Sequence, residues 1–185
     1  IGGWRTRSDT ASAGQVRGMH SWIANNSDRW ISAGSYNKLY VYSGAGIQYD
    51  ITPAGFTAGN EDALTPVGYG NSFYGLEYYG TPRQESVTIT PATTWSMDSW
   101  GQYLVACSST DGKVYEWQLS TGTIAAVVAN APVNNRAILV TEERFLMCLG
   151  AGGNPRLVQW SDREDNTVWT PAATNEAGSL ELQTT

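Results

Sequence analysis

A chain of 185 residues with a net charge of −6 and only 11 Lys and Arg, scattered along its length, is poorly suited to gripping nucleic acid, because phosphate contacts need clustered cations. No stretch approaches the roughly 20 apolar residues of a membrane span, so membrane insertion by a helix is not expected. With 20 Gly, 10 Tyr and 8 Trp, and no amphipathic run of helical length, the composition suits short strands joined by tight turns and packed by aromatic side chains.

In chain order, residues 1–15 form an opening segment with little periodicity, and a first unit at 16–53 predicts strands over 19–24, 29–33, 38–42 and 48–51. Turn chemistry at Asn25-Asn26-Ser27-Asp28 and Ser43-Gly44-Ala45-Gly46 separates them, giving a four-stranded meander. Alternation in Lys38-Leu39-Tyr40-Val41-Tyr42 sets Leu39 and Val41 on one face and the tyrosines on the other. The second unit, 54–91, is degenerate, rich in Gly and Tyr and nearly without aliphatic residues. It reads either as a long loop folded over its neighbour or as a contact arm, in which Tyr69, Phe73, Tyr74, Tyr78 and Tyr79 are candidate residues for touching a neighbouring subunit or partner.

The third unit, 92–131, predicts an inner strand at 94–97, a turn at Asp98-Ser99-Trp100-Gly101, a strand at 103–107, and an Asp111-Gly112 turn opening a strand at 114–117. The fourth, 132–171, repeats it with strands at 137–140, 145–149 and 157–160, a Gly-rich turn at 150–155, and a last strand at Thr167-Val168-Trp169. A fifth unit would begin at Ser179-Leu180-Glu181-Leu182. The hairpins ending in Tyr42, Trp117 and Trp160, together with Pro53, Pro91, Pro132 and Pro171, recur with a period of about 40 residues. Proline lacks an N–H and suits the place where a chain leaves a ladder, so these prolines are expected at unit boundaries. The fold expected is all-β and β-propeller-like: about four antiparallel meander blades in a single domain, and part of a larger propeller.

Residue chemistry points away from catalysis. His20 is the only histidine, lies in a strand-like run and has no sequence company for a triad. Cys107 and Cys148 sit in apolar strands, fall one position out of register and should point to opposite faces of their sheets, so free buried thiols and a reducing compartment are expected rather than a disulfide. The acidic turn Asp162, Glu164 and Asp165 carries ligand oxygens, but its spacing does not match a calcium loop, and an ordinary polar turn explains it. Glu142 with Glu143, or Asp162 with Glu164, could be nominated as paired carboxylates, although neighbours on one turn do not flank a bond across a cleft. Trp95 and Trp100 are candidates for stacking on sugar rings. No cofactor, metal site or catalytic set is expected.

Several phrases together carry a resemblance: Ile1-Gly2-Gly3-Trp4-Arg5, Lys38-Leu39-Tyr40-Val41-Tyr42, Asp50-Ile51-Thr52-Pro53, Trp95-Ser96-Met97-Asp98-Ser99-Trp100-Gly101, and the run from Trp160-Ser161-Asp162-Arg163 to Trp169-Thr170-Pro171. The chain resembles, over nearly its whole length, a family of tailed-bacteriophage structural proteins similar to the β-propeller nozzle or hub proteins of short tails. That resemblance implies a virion component made in the bacterial cytoplasm and assembled with itself in a ring around the tail axis. Its other partners would be tail proteins such as an adaptor or fibre, and DNA would pass without specific binding. It also implies that more chain lies beyond both ends. A receptor- or glycan-binding tail propeller is the alternative expectation, and a propeller glycosidase a third.

Overall fold

The computed structural model describes residues 3, 6–63 and 90–183, and within them the chain is all-β, with 12 strands in three antiparallel four-stranded sheets. Each sheet is a meander in sequence order. The first holds β1 (Met19–Ile23), β2 (Arg29–Gly34), β3 (Leu39–Ser43) and β4 (Gln48–Asp50). The middle sheet holds β5 (Trp95–Trp100), β6 (Tyr103–Ser108), β7 (Val114–Trp117) and β8 (Ala126–Val127). The third holds β9 (Ala137–Val140), β10 (Leu146–Leu149), β11 (Leu157–Trp160) and β12 (Gly178–Glu181), with a 3-10 turn at Ala151–Gly153 between β10 and β11.

The sheets stack face to face, and the apolar alternation of each strand decides which neighbour it meets. In β6, Leu104 and Ala106 point toward the first sheet, where they join Trp22, Trp30, Leu39, Val41 and Ile51 in one core cluster. Val105 and Cys107, one step out of phase, join Ile138, Leu146, Cys148 and Trp169 of the third sheet in a second cluster. The middle sheet is therefore covered on both faces, which is why Leu104 to Ser108 are all buried. The first cluster is dense in aromatics: Trp117 meets the edges of Trp22 and Trp30 at 6.4 and 5.3 Å between ring centroids, and Phe56 leans on Trp95 at 5.2 Å. Leu39 and Val41 lie in this core while Tyr40 and Tyr42 take the opposite face, as the alternation requires.

Two glycines allow these close approaches. A Cβ on Gly34 would collide with the Trp95 ring, whose Nε1 donates to Ser35 O at 2.7 Å. Gly112 turns the β6–β7 hairpin at φ +60° with its Cα against the backbone of Asn134 and Asn135, so a side chain there would push the third sheet away from the middle one.

Three details of the expected layout are corrected. Asp98-Ser99-Trp100 is not a turn; β5 runs through Trp100, which pairs with Tyr103 across a two-residue turn at Gly101-Gln102. Thr167-Val168-Trp169 is not the last strand of its unit, and Ser179-Leu180-Glu181 does not open a fifth: it lies in β12, the fourth strand of the third sheet, paired with β11. Pro171 consequently lies inside the β11–β12 connection, whereas Pro53 follows β4, Pro91 precedes β5 and Pro132 falls between β8 and β9. The first and middle sheets pack directly on each other; of the stretch read as a second unit, residues 64–89 are outside the described residues.

Candidate functional site: the first-strand seam and the open faces

The first strands of the three sheets run side by side, β1 against β5 and β5 against β9, and side chains close the seam between them where no ladder can. The Ser96 hydroxyl accepts from Ile138 N–H at 3.1 Å and donates to Ile138 O at 2.9 Å, satisfying both polar groups of one β9 residue. Asp98 accepts from Val140 N–H at 2.8 Å through one carboxylate oxygen and from Ser99 N–H at 2.8 Å through the other. On the other side of β5, the Ser99 hydroxyl meets His20 Nε2 at 2.7 Å, and Trp22 Nε1 donates to Gln102 O at 2.9 Å. Asn135 extends the stitching outward, donating through Nδ2 to Gly112 O at 2.8 Å. The guanidinium of Arg144 lies 5.1 Å from the Trp100 ring, tying the β9–β10 turn to the middle sheet.

The serine–histidine contact invites comparison with a hydrolytic dyad. Burial lowers the His20 pKa against the opposing pull of Asp98, which favours the neutral ring that accepts a hydroxyl proton. Asp98 does not orient the ring as the third member of a triad would: its carboxylate is turned to the Ser99 and Val140 N–H groups and makes no hydrogen bond to His20. The constellation joins strands.

In the predicted acidic turn, one carboxylate oxygen each of Asp162 and Asp165 is bonded within the turn or to its neighbours. Asp162 Oδ1 accepts from Arg163 N–H and Glu176 N–H, each at 2.8 Å, and Asp165 Oδ1 accepts from the Thr167 N–H at 2.9 Å and its hydroxyl at 2.6 Å. These Thr167 bonds hold the Asp165 carboxyl below its usual range. Glu164 takes a left-handed turn at φ +59° with its side chain exposed. The first sheet repeats the device at Asp50-Ile51-Thr52: burial works to raise the Asp50 pKa, and the bonds from Lys38 and Thr52 outweigh it. Among the described residues no cluster of three or more His, Cys, Asp or Glu could hold a metal.

Cys107 and Cys148 are free and buried, and they do point opposite ways along the stack, which turns them toward each other in the second cluster. Burial pushes Cys107 up to about 12 and Cys148 higher still, as expected of thiols acting as apolar filler. Trp95 and Trp100 are core residues, so neither offers a ring face for sugar. Glu142 and Glu143 sit exposed on the β9–β10 turn. Tyr69, Phe73, Tyr74, Tyr78 and Tyr79 lie outside the described residues. Sequence reading missed Ser96, Asp98, Ser99 and Asn135, whose one visible signal is that they are polar residues set among apolar ones.

Two faces remain open. The outer face of the third sheet presents Leu139, Met147, Leu149, Val158, Trp160 and Leu180, an apolar surface on which no sheet rests among the described residues. The outer face of the first sheet is half covered by residues 6–16, whose Asp9 N–H donates to Gly46 O at 3.0 Å and whose Ala13 N–H reaches the Tyr40 hydroxyl at 3.2 Å. Beside that strap runs a groove of about 380 Å³ with Val16, Met19 and Ile31 in its lining; Met19 is 67% exposed, and Ile23 nearby is 61% exposed. No family model, no curated protein and no solved structure matches the chain.

Proposed function

We propose that the chain is a rigid building block of a β-propeller-like wall, serving as a structural component of a bacteriophage tail in the nozzle or hub around the DNA-exit channel. One observation carries the structural part: three meanders stack with their first strands side by side, the middle one is buried on both faces, and both end sheets continue apolar outward. Blades arranged radially about an axis have this layering, with first strands innermost. The seam is held by side-chain hydrogen bonds from Ser96, Asp98 and Ser99, and Asp162 and Asp165 brace the β11–β12 connection, which suits a part made to hold shape. The tail assignment rests on the resemblance of the sequence phrases. An acidic balance of −6 fits it, because like charge keeps exiting DNA from sticking to the wall.

Imaging of the purified protein by electron microscopy, and of phage tails carrying a labelled copy, tests both parts. The expected result is sheets set radially around a lumen and label at the tail axis. Label on a capsid or fibre tip would overturn the tail assignment, and sheets in a flat or closed sandwich would overturn the propeller. Burial of Trp95 and Trp100 leaves the glycan-binding alternative without its two tryptophan platforms.

A further inference from the structure

We infer that the open edge of β8 is a docking site for a partner protein, which adds an extended segment as a further strand and sets a Lys or Arg of that segment against Glu116. This goes beyond the building-block reading and does not rest on it. The three sheets end outward in β4, β8 and β12. Charged side chains and proline commonly guard such edges against pairing with another chain. Asp50 of β4 pairs with Lys38 at 2.8 Å, Asp9 caps the Gln48 N–H at 3.0 Å, and Glu181 of β12 pairs with Arg156. The edge at β8 has no such guard: Ile124-Ala125-Ala126-Val127-Val128-Ala129 holds no charged residue and no proline, and Ile124 and Val127 are 50% and 55% exposed. Val128 N–H donates to Val114 O at 2.9 Å, so the alternation of an antiparallel ladder turns the N–H and C=O of Val127 away from β7, to the open side. The neighbouring sheets close this run at its ends, where Ala125 N–H donates to Ile51 O at 2.9 Å and Asn130 Nδ2 donates to Thr167 O at 3.0 Å.

Charge and spacing select the occupant. A groove of about 460 Å³ runs along β8 toward Asn166, and among the described residues Glu116 is the one charged group in its lining. Side-chain amides hold both carboxylate oxygens, one from buried Asn166 and the other from Gln118 at 2.7 Å. Amides orient a carboxylate without neutralising it, and among the described residues no Lys, Arg or His forms an ion pair with Glu116. Glu116 lies opposite Ala126 in the ladder, so their side chains share a face of the sheet. A residue of an added strand beside Ala126 stands two strand spacings from β7, about 10 Å, and the Ala126 methyl leaves its side chain room to reach Glu116. Lys and Arg have that length. The residues before and after the cation fall on the face of Val127, where apolar side chains suit. The rest of this sequence offers no such segment: within 64–89 the one Lys or Arg is Arg83, set between Pro82, which lacks an N–H, and the polar Gln84. Arg5 adjoins Thr6, which lines the groove on the outer face of the first sheet.

The test titrates the intact chain with the peptide acetyl-Gly-Val-Lys-Val-Thr-Gly-amide and follows the backbone amides by NMR. The expected result is saturable binding, shifts centred on Glu116, Val127 and Ala129, and exchange at the Val127 amide slowed at least about tenfold at saturation. Replacing the peptide's Lys by Glu, or methylating the amide nitrogens of both its valines, should weaken binding at least about tenfold. Those changes are made in the peptide and leave the fold of the chain untouched. Glu116→Gln should erase the preference for the Lys peptide over its norleucine analogue while leaving the weaker binding of the analogue unchanged.

Equal binding of the Lys, norleucine and Glu peptides, shifts centred away from β8, or a Val127 amide already protected before peptide is added would each overturn the docking site. So would a dimer joined through β8, seen as shifts of the Val127 signal with rising chain concentration. None of these outcomes bears on the building-block reading, which the imaging decides separately.

Discussion

Strands β6 and β10 are equally apolar in sequence and differently buried in the fold. β6 reads Tyr103-Leu104-Val105-Ala106-Cys107-Ser108 and is buried from Leu104 to its end; β10 reads Leu146-Met147-Cys148-Leu149 and is buried at alternate residues. The difference lies in what stacks on each: among the described residues β6 has a sheet on either side, and β10 has one. Side chains cannot report which of two apolar faces is covered, because the hydrophobic effect rewards removal of area from water without regard to partner. An end strand with the composition of a middle strand is what the building-block reading expects of a sheet that receives a further layer.

Substitutions can sharpen this contrast. The largest loss is expected at Trp117→Ala, which opens a void between the first and middle sheets where the ring is 1% exposed and touches two other tryptophans. Urea unfolding should lose about 3–5 kcal/mol, in the range of buried aromatic truncations. Next comes an adjacent pair on opposite faces of β10. Leu146→Ala, in the second cluster, should cost about 2–5 kcal/mol. Met147→Ala should cost the isolated chain no more than about 0.5 kcal/mol and show its effect only on assembly. Equal losses at the two positions in a monomeric sample would mean that the outer face is already covered, and the contrast would be broken.

A smaller effect tests the seam. Ser96→Ala removes a hydroxyl that serves both polar groups of Ile138, so the cost is two orphaned backbone groups rather than lost packing. About 1–3 kcal/mol is expected, with faster hydrogen exchange at the Ile138 amide as its specific signature. Unchanged exchange at that amide would count against the seam.

Much of this fold could be read from the chain because its signals are local. The Asp-Gly turn before Val114, the alternation of Leu39 and Val41, and the 40-residue recurrence each follow from short-range chemistry. The errors arise where a distant partner decides. Asp98-Ser99 has turn chemistry, yet it stays in β5 because Val140 on β9 donates to the carboxylate and His20 on β1 meets the hydroxyl. Thr167-Val168-Trp169 alternates like a strand, but Trp169 is anchored in the core with its Nε1 donating to Asn166 O at 2.7 Å. The fourth ladder position goes instead to Gly178–Glu181, whose exposed Ser179 and Leu180 gave little inward signal. The seam was hidden for the same reason, since Ser96, Asp98 and Ser99 of β5 and Asn135 before β9 find their partners on other sheets and meet them only after stacking.

The smallest effect is a pH dependence that separates the two sides of β5. His20 is the only histidine, so a change of stability between about pH 5 and 7 that vanishes when it is replaced is assignable to it. Burial lowers its folded pKa below the unfolded value near 6.5, with Asp98 pulling the other way, so the unfolded chain binds the proton more readily. The stabilisation is then full above about pH 6.5 and is lost as the pH falls from there through the lowered folded value. Because the ring is only half buried, solvent screening keeps the loss to under about 1 kcal/mol. The urea midpoint should fall slightly from pH 7 to 5 in the native chain and stay flat over that window in His20→Gln. Asp50 and Asp165, both held low, lose their contributions only below about pH 4, so they leave this window clear. A midpoint that rises on acidification would mean that Asp98, on the face turned to the third sheet, governs the His20–Ser99 contact on the face turned to the first, and the two sides of β5 would have to be treated as one network.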